Sequence, residues 1–256
     1  MNFGISNISW SINSDKEILQ FLRDNNVNFL EIAPTKLTQD PFSHIEFFTQ
    51  YLEKNDSFSI FSIQSICFGK NFNFFRSNNE YNEFINHMEG VLKFCNKLKI
   101  QNIVFGCPKN RNLEDSKNLN LAVDFFSELD AIASYYDIII ALEPNPEIYG
   151  TNFLNKTMDV VDFITTNNFE KIKINFDFGS FLYNQEKIEE IESYINLINH
   201  VHISEPNLNL IENYSQIEIL INKLKSLNYK KGLSIEMKEN SIENVIETVL
   251  KIKNLI

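Results

Sequence analysis

Short apolar segments alternate with longer amphipathic segments along the whole chain, eight of each. Short segments rich in β-branched and aromatic residues are typical of strands, and apolar residues spaced by three and four are typical of helices. Repeated strand–helix units form a parallel sheet, and eight such units close into a barrel. The alternation therefore predicts an α/β fold, a single (β/α)8 TIM barrel.

The boundaries of the segments follow from the periodicity and from the residues that interrupt it. The predicted strands are Asn2–Ser6, Asn28–Ile32, Ser59–Ile66, Asn102–Cys107, Ile138–Glu143, Lys171–Asp177, His200–Ser204 and Leu233–Met237. The predicted helices are Asp15–Asn25, Ile45–Glu53, Asn79–Leu98, Ser116–Tyr136, Thr157–Asn168, Lys187–Leu197, Ser215–Leu227 and Ser241–Ile256. Ser14–Glu17 and, more weakly, Ser241–Asn244 have the spacing of a capping box, which closes the first turn of a helix.

The length of 256 residues and the hydrophobic content of 43% fit one barrel with one core. Two domains would need a linker, and no stretch rich in Pro, Gly or Ser separates the periodic segments. We therefore expect residues 1–256 to form a single domain.

The net charge of −11 argues against a nucleic-acid partner, because binding a phosphate backbone requires clustered cations and the sequence has no Lys/Arg stripe. The longest apolar runs are far shorter than a membrane span, so we expect no membrane partner. Cys67, Cys95 and Cys107 form no CxxC pair, which disfavours a disulfide framework. The first residues lack the basic and apolar regions of a signal peptide, and we expect a cytoplasmic protein. The sequence is compatible with a homo-oligomer.

The last four predicted strands carry polar residues on the side that faces the barrel interior. Parallel strands buried on both faces are usually continuous apolar runs, whereas these strands alternate. The residues expected to face the helices are Ile140, Leu142, Ile172, Ile174, Phe176, Val201, Ile203, Leu233 and Ile235. The residues expected to face the interior are Ala141, Glu143, Lys173, Asn175, Asp177, His200, His202, Ser234 and Glu236. Interior charges need compensation, and bound cations are the simplest source of it.

Four of these interior residues stand at the carboxyl ends of consecutive strands, where barrels of this kind build their active sites. They are Glu143 in ALEP, Asp177 in NFDFG, His202 in HVHISEP and Glu236 in SIEMK. Three crowded carboxylates would repel one another and take up protons unless a cation neutralised them. With one imidazole they form a hard, mixed oxygen and nitrogen site, which suits Mn²⁺, Mg²⁺, Co²⁺ or Zn²⁺. The alternative is that these acids form structural ion pairs inside the barrel. That alternative needs interior cations, and among the interior positions only Lys173 supplies one.

These motifs resemble those of the xylose-isomerase-like TIM-barrel superfamily of sugar and sugar-phosphate isomerases and epimerases, in which Glu, Asp, His and Glu from strands five to eight hold a metal. The intervals of 34, 25 and 34 residues (177−143, 202−177 and 236−202) match the family's spacing to within a residue or two. The resemblance covers essentially the whole chain in architecture, but its specific part is the four motifs. It implies one divalent metal ion, a small-molecule carbohydrate substrate, and Glu143 and Glu236 as the catalytic pair.

The chain departs from the epimerase-like members of this family at two positions. Those members have a His three residues after the strand-six Asp, where this chain has Ser180, and an Arg shortly after the strand-seven His, where HISEPNLNLI has no cation. Both changes point to a different substrate, and we expect poor activity on free hexuloses. Glu205 would suit hydroxyl-rich or amino-bearing ligands better than a phosphate, for which no Gly-rich cradle is present.

Further residues near the predicted barrel mouth are candidates for substrate contact. Glu31 and Gln64 end strands two and three and could bind substrate or support the metal ligands; Trp10 and Lys238 could equally be ordinary loop residues. The full set of predicted substrate contacts is Glu31, Gln64, Trp10, Tyr149, Asn152, Glu205 and Lys238.

The resemblance and the four motifs together predict a metal-dependent isomerase or epimerase of a small sugar or polyhydroxylated carbonyl compound, which transfers a proton through a cis-enediolate. An inosose-type dehydratase is the nearest enzymatic alternative, because the same metal and base can expel a β-hydroxyl group. A non-catalytic sugar-binding relic of the same fold is the second alternative. A nuclease of the same fold would need additional metal ligands and a basic face, and neither is visible in the sequence.

Overall fold

A computed structural model describes residues 1–71, 73, 75, 78–113 and 119–256. Eight parallel strands follow one another in chain order around a closed barrel, and the last strand pairs with the first. The prediction of a (β/α)8 TIM barrel is confirmed. The strands are β1 (Asn2–Ser6), β2 (Phe29–Ile32), β3 (Ser59–Ile63), β4 (Asn102–Phe105), β5 (Ile139–Leu142), β6 (Ile172–Asp177), β7 (Ile198–Ile203) and β8 (Gly232–Ile235).

Helices follow the strands and surround the barrel. They are α1 (Asp15–Asp24), α2 (Pro34–Leu37), α3 (Ile45–Lys54), α4 (Asn78–Leu98), α5 (Leu119–Tyr136), α6 (Thr157–Asn167), α7 (Phe178–Tyr183), α8 (Ile191–Tyr194), α9 (Tyr214–Ser226) and α10 (Ile242–Leu255). Residues 116–118, with which the predicted fifth helix began, lie outside the described residues. In the described ranges, no helix combines the length and the apolar character that crossing a bilayer requires.

Several predicted strands end earlier than expected at the carboxyl end of the barrel. β3 and β4 stop at Ile63 and Phe105, and Ser65 and Cys107 beyond them adopt left-handed backbone conformations with φ of 55° and 47°. A left-handed residue cannot continue a strand, so the chain turns into loops there. β7 differs at its other end, because it begins at Ile198, two residues before the predicted start.

The helix predicted at Lys187–Leu197 is only partly formed. A single α-helical turn, α8, is flanked by 3-10 turns at residues 188–190 and 195–197. Ile191 and Tyr194 are its buried residues, so only one turn packs on the barrel. The short helices α2 and α7 were not predicted, because each is too short to show a helical period.

The two predicted capping boxes have different outcomes. Ser241 Oγ accepts a hydrogen bond from Asn244 N at 3.3 Å, which confirms the serine half of that cap. Ser14 precedes α1, but its side chain makes no cap hydrogen bond, and that prediction was wrong. A 3-10 turn, Ile12–Ser14, runs directly into α1, so Ser14 has φ −95° and ψ 0° rather than the extended conformation of an N-cap.

The outer faces of the strands pack against the helices, and much of this layer is aromatic. All nine residues predicted to face the helices on β5–β8 are fully buried. Phe105 on β4 lies 5.3 Å from Phe126 on α5, and Phe125 and Phe126 meet edge to face at 5.2 Å between ring centroids. Edge-to-face pairs of this kind stabilise a core beyond the area that they bury. This apolar layer leaves the barrel interior free to hold polar residues.

Candidate metal centre

The structure brings the four predicted ligands together at the carboxyl end of the barrel. One oxygen or nitrogen atom from each of Glu143, Asp177, His202 and Glu236 lies within 4.8 Å of the others. The Nδ1 atom of His202 is the centre of the group: it lies 3.2 Å from Glu143 Oε1, 3.0 Å from Glu236 Oε2 and 3.9 Å from Asp177 Oδ2. Three carboxylates therefore converge on one imidazole nitrogen.

Backbone hydrogen bonds hold the two glutamates in register just beyond their strands. Glu143 N donates to Phe105 O at 3.1 Å, and Glu236 N donates to Ile203 O at 2.9 Å. Beside Glu143, Gly106 leaves the space that the carboxylate occupies, because a Cβ atom at position 106 would lie 2.6 Å from Glu143 Oε2. The absence of a side chain at residue 106 is therefore part of how Glu143 reaches the site.

Asp177 is fixed by the start of α7 and by the strand beside it. Its Oδ1 atom accepts from Ser180 N at 2.6 Å, and its Oδ2 atom accepts from Ser204 Oγ at 2.6 Å. The same Ser204 hydroxyl accepts from Gly179 N at 2.8 Å. Asp177 thus caps α7 and presents its carboxylate to His202 in one fixed orientation.

Two asparagines and a buried arginine orient Glu143. Asn175 Nδ2 donates to Oε1 at 2.7 Å, and Asn145 Nδ2 donates to Oε2 at 2.9 Å. Arg111 is fully buried and donates from Nη2 to the backbone oxygen of Glu143 at 2.8 Å. Burial lowers the pKa of the Arg111 guanidinium to about 10, which leaves it charged at neutral pH and able to offset part of the acidity nearby.

Proton affinities in the cluster reflect the crowding of its charges. Burial, together with the negative charges of Glu143 and Asp177, raises the pKa of Glu236 to about 7. Burial and the charge of Glu143 also raise the pKa of Asp177. Burial alone would raise the pKa of Glu143, but hydrogen bonding and attraction to His202 bring it below the usual value. Burial would lower the pKa of His202, yet Glu236 and Glu31 raise it well above its usual range. The raised pKa values of Asp177 and Glu236 indicate that the three carboxylates are short of compensating positive charge.

A further buried carboxylate, that of Glu31, lies outside this cluster and contacts Nε2, the other ring nitrogen of His202. It accepts hydrogen bonds from Gln64 Nε2 at 3.0 Å and from Ser234 Oγ at 3.3 Å, and it lies 3.0 Å from Nε2 of both His200 and His202. Glu31, His200 and His202 are also close enough to share an ion. The ring N–H groups of His200 and His202 donate to the Glu31 carboxylate, so this carboxylate has hydrogen-bond partners without an ion. Donation from Nε2 of His202 to Glu31 leaves Nδ1 facing the three carboxylates, where it could serve as a ligand atom.

A cavity of about 490 Å³ opens onto the cluster, with Glu143, Asp177 and Glu236 in its wall. Of the predicted substrate contacts, Gln64 and Tyr149 line this cavity. The hydroxyl of Tyr149 accepts from Asn207 N at 2.8 Å, and burial with the nearby negative charges raises its pKa to about 12. Tyr149 therefore keeps its proton, and its hydroxyl group can donate a hydrogen bond to a ligand in the cavity.

Two predicted contacts from the ends of the chain are not among the described residues that line the cavity. Trp10 is 1% exposed, belongs to the hydrophobic core and donates from Nε1 to Asp15 Oδ1 at 3.0 Å. Lys238 donates from Nζ to Asn209 Oδ1 at 2.8 Å. Both side chains have structural partners in the loops where they lie.

Asn152 and Glu205 are likewise used within loops and do not appear in the described cavity wall. Asn152 exchanges two hydrogen bonds with the backbone of Leu113, at 2.7 and 2.8 Å. The carboxylate of Glu205 accepts from the backbone of Glu212 at 3.1 Å and from the backbone and side chain of Asn213 at 2.9 and 2.7 Å. Glu205 therefore stabilises the segment before α9. Glu31 also lies away from the cavity, in the layer described above.

Several cavity residues were not predicted. Asn145 follows Glu143 by two residues, and Lys70 and Lys109 lie on the loops after β3 and β4. The rule that barrel sites are built from the loops after the strands could have indicated these loops. It could not select individual residues, because loop side chains follow no period.

Comparisons with known proteins agree with this geometry. The model of the family described as xylose isomerase-like TIM barrel matches residues 19–254. The chain belongs to this family. None of the curated proteins matches it in sequence.

Solved structures with the same fold as this xylose isomerase-like barrel include sugar epimerases. 3-Keto-D-glucoside 4-epimerase, YcjR, from E. coli in its apo form is 14% identical with a TM-score of 0.80, over 100% of this chain and 98% of that chain. D-Psicose 3-epimerase with D-tagatose from Clostridium cellulolyticum H10 is 15% identical with a TM-score of 0.75, over 99% and 92%. The IolI protein with a bound zinc atom is 16% identical with a TM-score of 0.72, over 100% and 96%. At these identities the likeness establishes a shared fold.

Proposed function

We propose that this xylose isomerase-like barrel is a divalent-metal-dependent isomerase or epimerase of a small sugar or polyhydroxylated carbonyl compound. The observation that carries the proposal is the convergence of three carboxylates on Nδ1 of one histidine in the wall of a cavity. Two of the structural neighbours named above are sugar epimerases, and a third contains zinc. Their shared fold supports the proposal, and the reaction is argued from the residues of this chain.

The donor set fits a divalent cation. Glu143, Asp177 and Glu236 would contribute carboxylate oxygens and His202 would contribute Nδ1, a combination that suits Mn²⁺, Mg²⁺, Co²⁺ or Zn²⁺. The raised pKa of Glu236, caused by burial and by its acidic neighbours, indicates that the cluster lacks positive charge. When bound, such a cation supplies Lewis acidity that stabilises negative charge on a substrate carbonyl oxygen.

The two glutamates are placed to move the proton. One carboxylate takes a proton from the carbon next to the carbonyl, and the other returns a proton to the planar cis-enediolate. Glu143 and Glu236 come from β5 and β8 and approach His202 Nδ1 at 3.2 and 3.0 Å. Which of them takes the proton first depends on the configuration of the substrate. Acid–base catalysis by positioned groups typically contributes about 10²- to 10⁴-fold.

Exchange of hydrogen with solvent tests this proposal directly. The metal-loaded protein is incubated in D₂O with a panel of neutral and anionic ketoses, and deuterium at the carbon next to the carbonyl is measured by NMR. We expect deuterium incorporation with a subset of the panel and its loss after chelation. Absence of exchange throughout the panel, together with little bound metal, would identify a non-catalytic relic and contradict the proposal. Loss of water from the substrate would identify a dehydratase.

A further inference from the structure

The charges in the cavity wall are separated by side. The carboxylates of Glu143, Asp177 and Glu236 lie at the carboxyl ends of β5, β6 and β8, whereas the cations in the described lining, Lys70 and Lys109, follow β3 and β4. The two lysine-bearing loops are joined, because Asn110 Nδ2 donates to Lys70 O at 3.2 Å. A ligand in this cavity meets acidic groups on one side and ammonium groups on the other.

The ammonium groups of Lys70 and Lys109 have no partner among the described residues. Within the described ranges, Lys70 and Lys109 are exposed and their Nζ atoms make no hydrogen bond or ion pair. Acids are abundant in a chain of net charge −11, and other lysines do find them, as Lys171 does with Asp137 at 2.5 Å. Two cations that line a cavity without acidic partners are available to an anionic ligand.

Two neutral polar atoms beside the carboxylates also have no hydrogen-bond partner in the part of the chain that the structure describes. Asn145 Oδ1 and Ser180 Oγ belong to residues that are 4% and 1% exposed, line the cavity, and make no hydrogen bond through these atoms. Buried polar atoms are nearly always hydrogen-bonded, so unpaired ones in a cavity wall indicate a ligand. Both residues touch the cluster, since Asn145 donates to Glu143 and Ser180 N donates to Asp177. Such atoms are suited to bind substrate hydroxyl groups.

We infer that the substrate is an anionic polyhydroxylated carbonyl compound. Its hydroxyl groups near the reacting carbon bind Asn145 Oδ1 and Ser180 Oγ, and a carboxylate or phosphate group at its other end binds Lys70 and Lys109. The inference rests on the proposed function and names its substrate class. Glu205, expected from the sequence to favour neutral or amino-bearing ligands, does not oppose an anion, because its carboxylate is bound to the segment at residues 212–213.

A set of three ketoses that differ at one carbon tests the inference. D-Fructose, D-fructuronate and D-fructose 6-phosphate share the carbonyl and neighbouring hydroxyl groups and carry a hydroxyl, a carboxylate and a phosphate on the sixth carbon. Their binding to the metal-loaded chain is measured by calorimetry. Contacts with two exposed lysines should make at least one anionic ketose bind about tenfold more tightly than fructose at low ionic strength. The difference in affinity between the anionic ketose and fructose should shrink as salt is added. The anionic ketose that binds more tightly identifies the preferred group, carboxylate or phosphate.

Variants separate the lysines from other sources of anion binding. Lys70→Met combined with Lys109→Met should bring the ratio of anionic-ketose affinity to fructose affinity, measured in the same variant, down to about one. Lys238→Met, a lysine outside the described lining, should keep the ratio of the unaltered protein. Equal binding of the three ketoses, or an advantage that survives the double substitution, would overturn the inference. Hydrogen exchange with fructose would then leave the proposed function standing. Tighter binding of the anions without exchange in any ketose would instead support the charge preference and contradict the proposed reaction.

Discussion

Glu31 and Glu236 are both buried glutamates that contact His202, yet their pKa values are shifted in opposite directions. Burial would raise the pKa of Glu31, but the two histidines outweigh it and bring the pKa well below the usual value. Burial raises the pKa of Glu236 to about 7, and two neighbouring carboxylates add to the shift. Glu31 is 0% exposed and Glu236 is 6% exposed, so burial does not distinguish them. The donors around each carboxylate decide whether it stays ionised.

The polar residues in the barrel form two layers that are joined by the imidazole of His202: a lower layer around Glu31 and an upper layer of three carboxylates. In the lower layer the Glu31 carboxylate has four side-chain donors, so its charge is compensated by the protein alone. In the upper layer, Glu143, Asp177 and Glu236 share Nδ1 of His202, so three carboxylates have one imidazole nitrogen between them. The contact with Glu31 fixes the orientation of His202, and under the proposed function it leaves Nδ1 available to a metal ion.

Removing a charge from the upper layer should have the largest effect. We expect Glu236→Gln to lower turnover about 10²- to 10⁴-fold, because it removes one of the two groups that we propose to transfer the proton. The variant should remain folded by circular dichroism, since the amide keeps the shape of the side chain. Glu239→Gln, an exposed neighbour, is the matched control and should retain activity. Retained activity in Glu236→Gln would contradict the mechanism.

Displacing a carboxylate without changing its charge should have a smaller effect. In Gly106→Ala the new Cβ atom would lie 2.6 Å from Glu143 Oε2, so the carboxylate must move. Misplacement of a catalytic group by about 1 Å typically costs about 10²-fold in rate. Gly90→Ala in α4 is the control, because a Cβ atom there meets nothing within 4 Å. Equal activity in the two variants would show that the position of Glu143 is unimportant.

A change in the lower layer should affect the metal more than the chemistry. Glu31→Gln removes the acceptor that orients His202, and loss of such a partner lowers metal affinity about 10- to 100-fold. Titration with Zn²⁺ or Mn²⁺ measures the change. Glu205→Gln is the control, because Glu205 is also buried and hydrogen-bonded but lies away from the cluster. Unchanged affinity in Glu31→Gln would break the division into two layers.

The pH dependence of stability should show the smallest effect. With a folded pKa of about 7, Glu236 holds a proton between pH 5 and 7 that the unfolded chain has lost. The folded state therefore binds more protons, and the metal-free protein should lose stability as pH rises through this window, by at most about 1.4 kcal/mol per pH unit. Urea unfolding in the presence of a chelator measures this slope. It should be flatter in Glu236→Gln, and an equal slope in that variant would contradict the assignment.

The strands and the four-residue cluster could be predicted because both follow from period-two alternation. Once a parallel barrel is assumed, side-chain direction along β6 and β7 places Asp177 and His202 on the inner face. Glu31 could be placed inside by the same argument. The hydrogen bonds between Glu31 and the two histidines, His200 and His202, could not be predicted, because they depend on the register of strands that are far apart in sequence.

The loop residues show where sequence reasoning stops. Trp10 and Glu205 follow strands at the barrel mouth and are candidates for substrate contact on the sequence alone. In the structure Trp10 packs in the core, and Glu205 supports the segment before α9. Lys70 and Lys109 lie on similar loops and do line the cavity. The direction of a loop side chain depends on left-handed turns such as that at Cys107. The sequence pattern does not reveal where such turns occur.

Metal stoichiometry tests the central claim most directly. The chelator-treated chain is dialysed against Mn²⁺ or Zn²⁺ and bound metal is measured by elemental analysis, in parallel with Asp177→Asn. The two-layer account predicts one ion per chain in the unaltered protein and a large loss in the variant. Absence of bound metal in the unaltered protein, or equal amounts in both proteins, would contradict it.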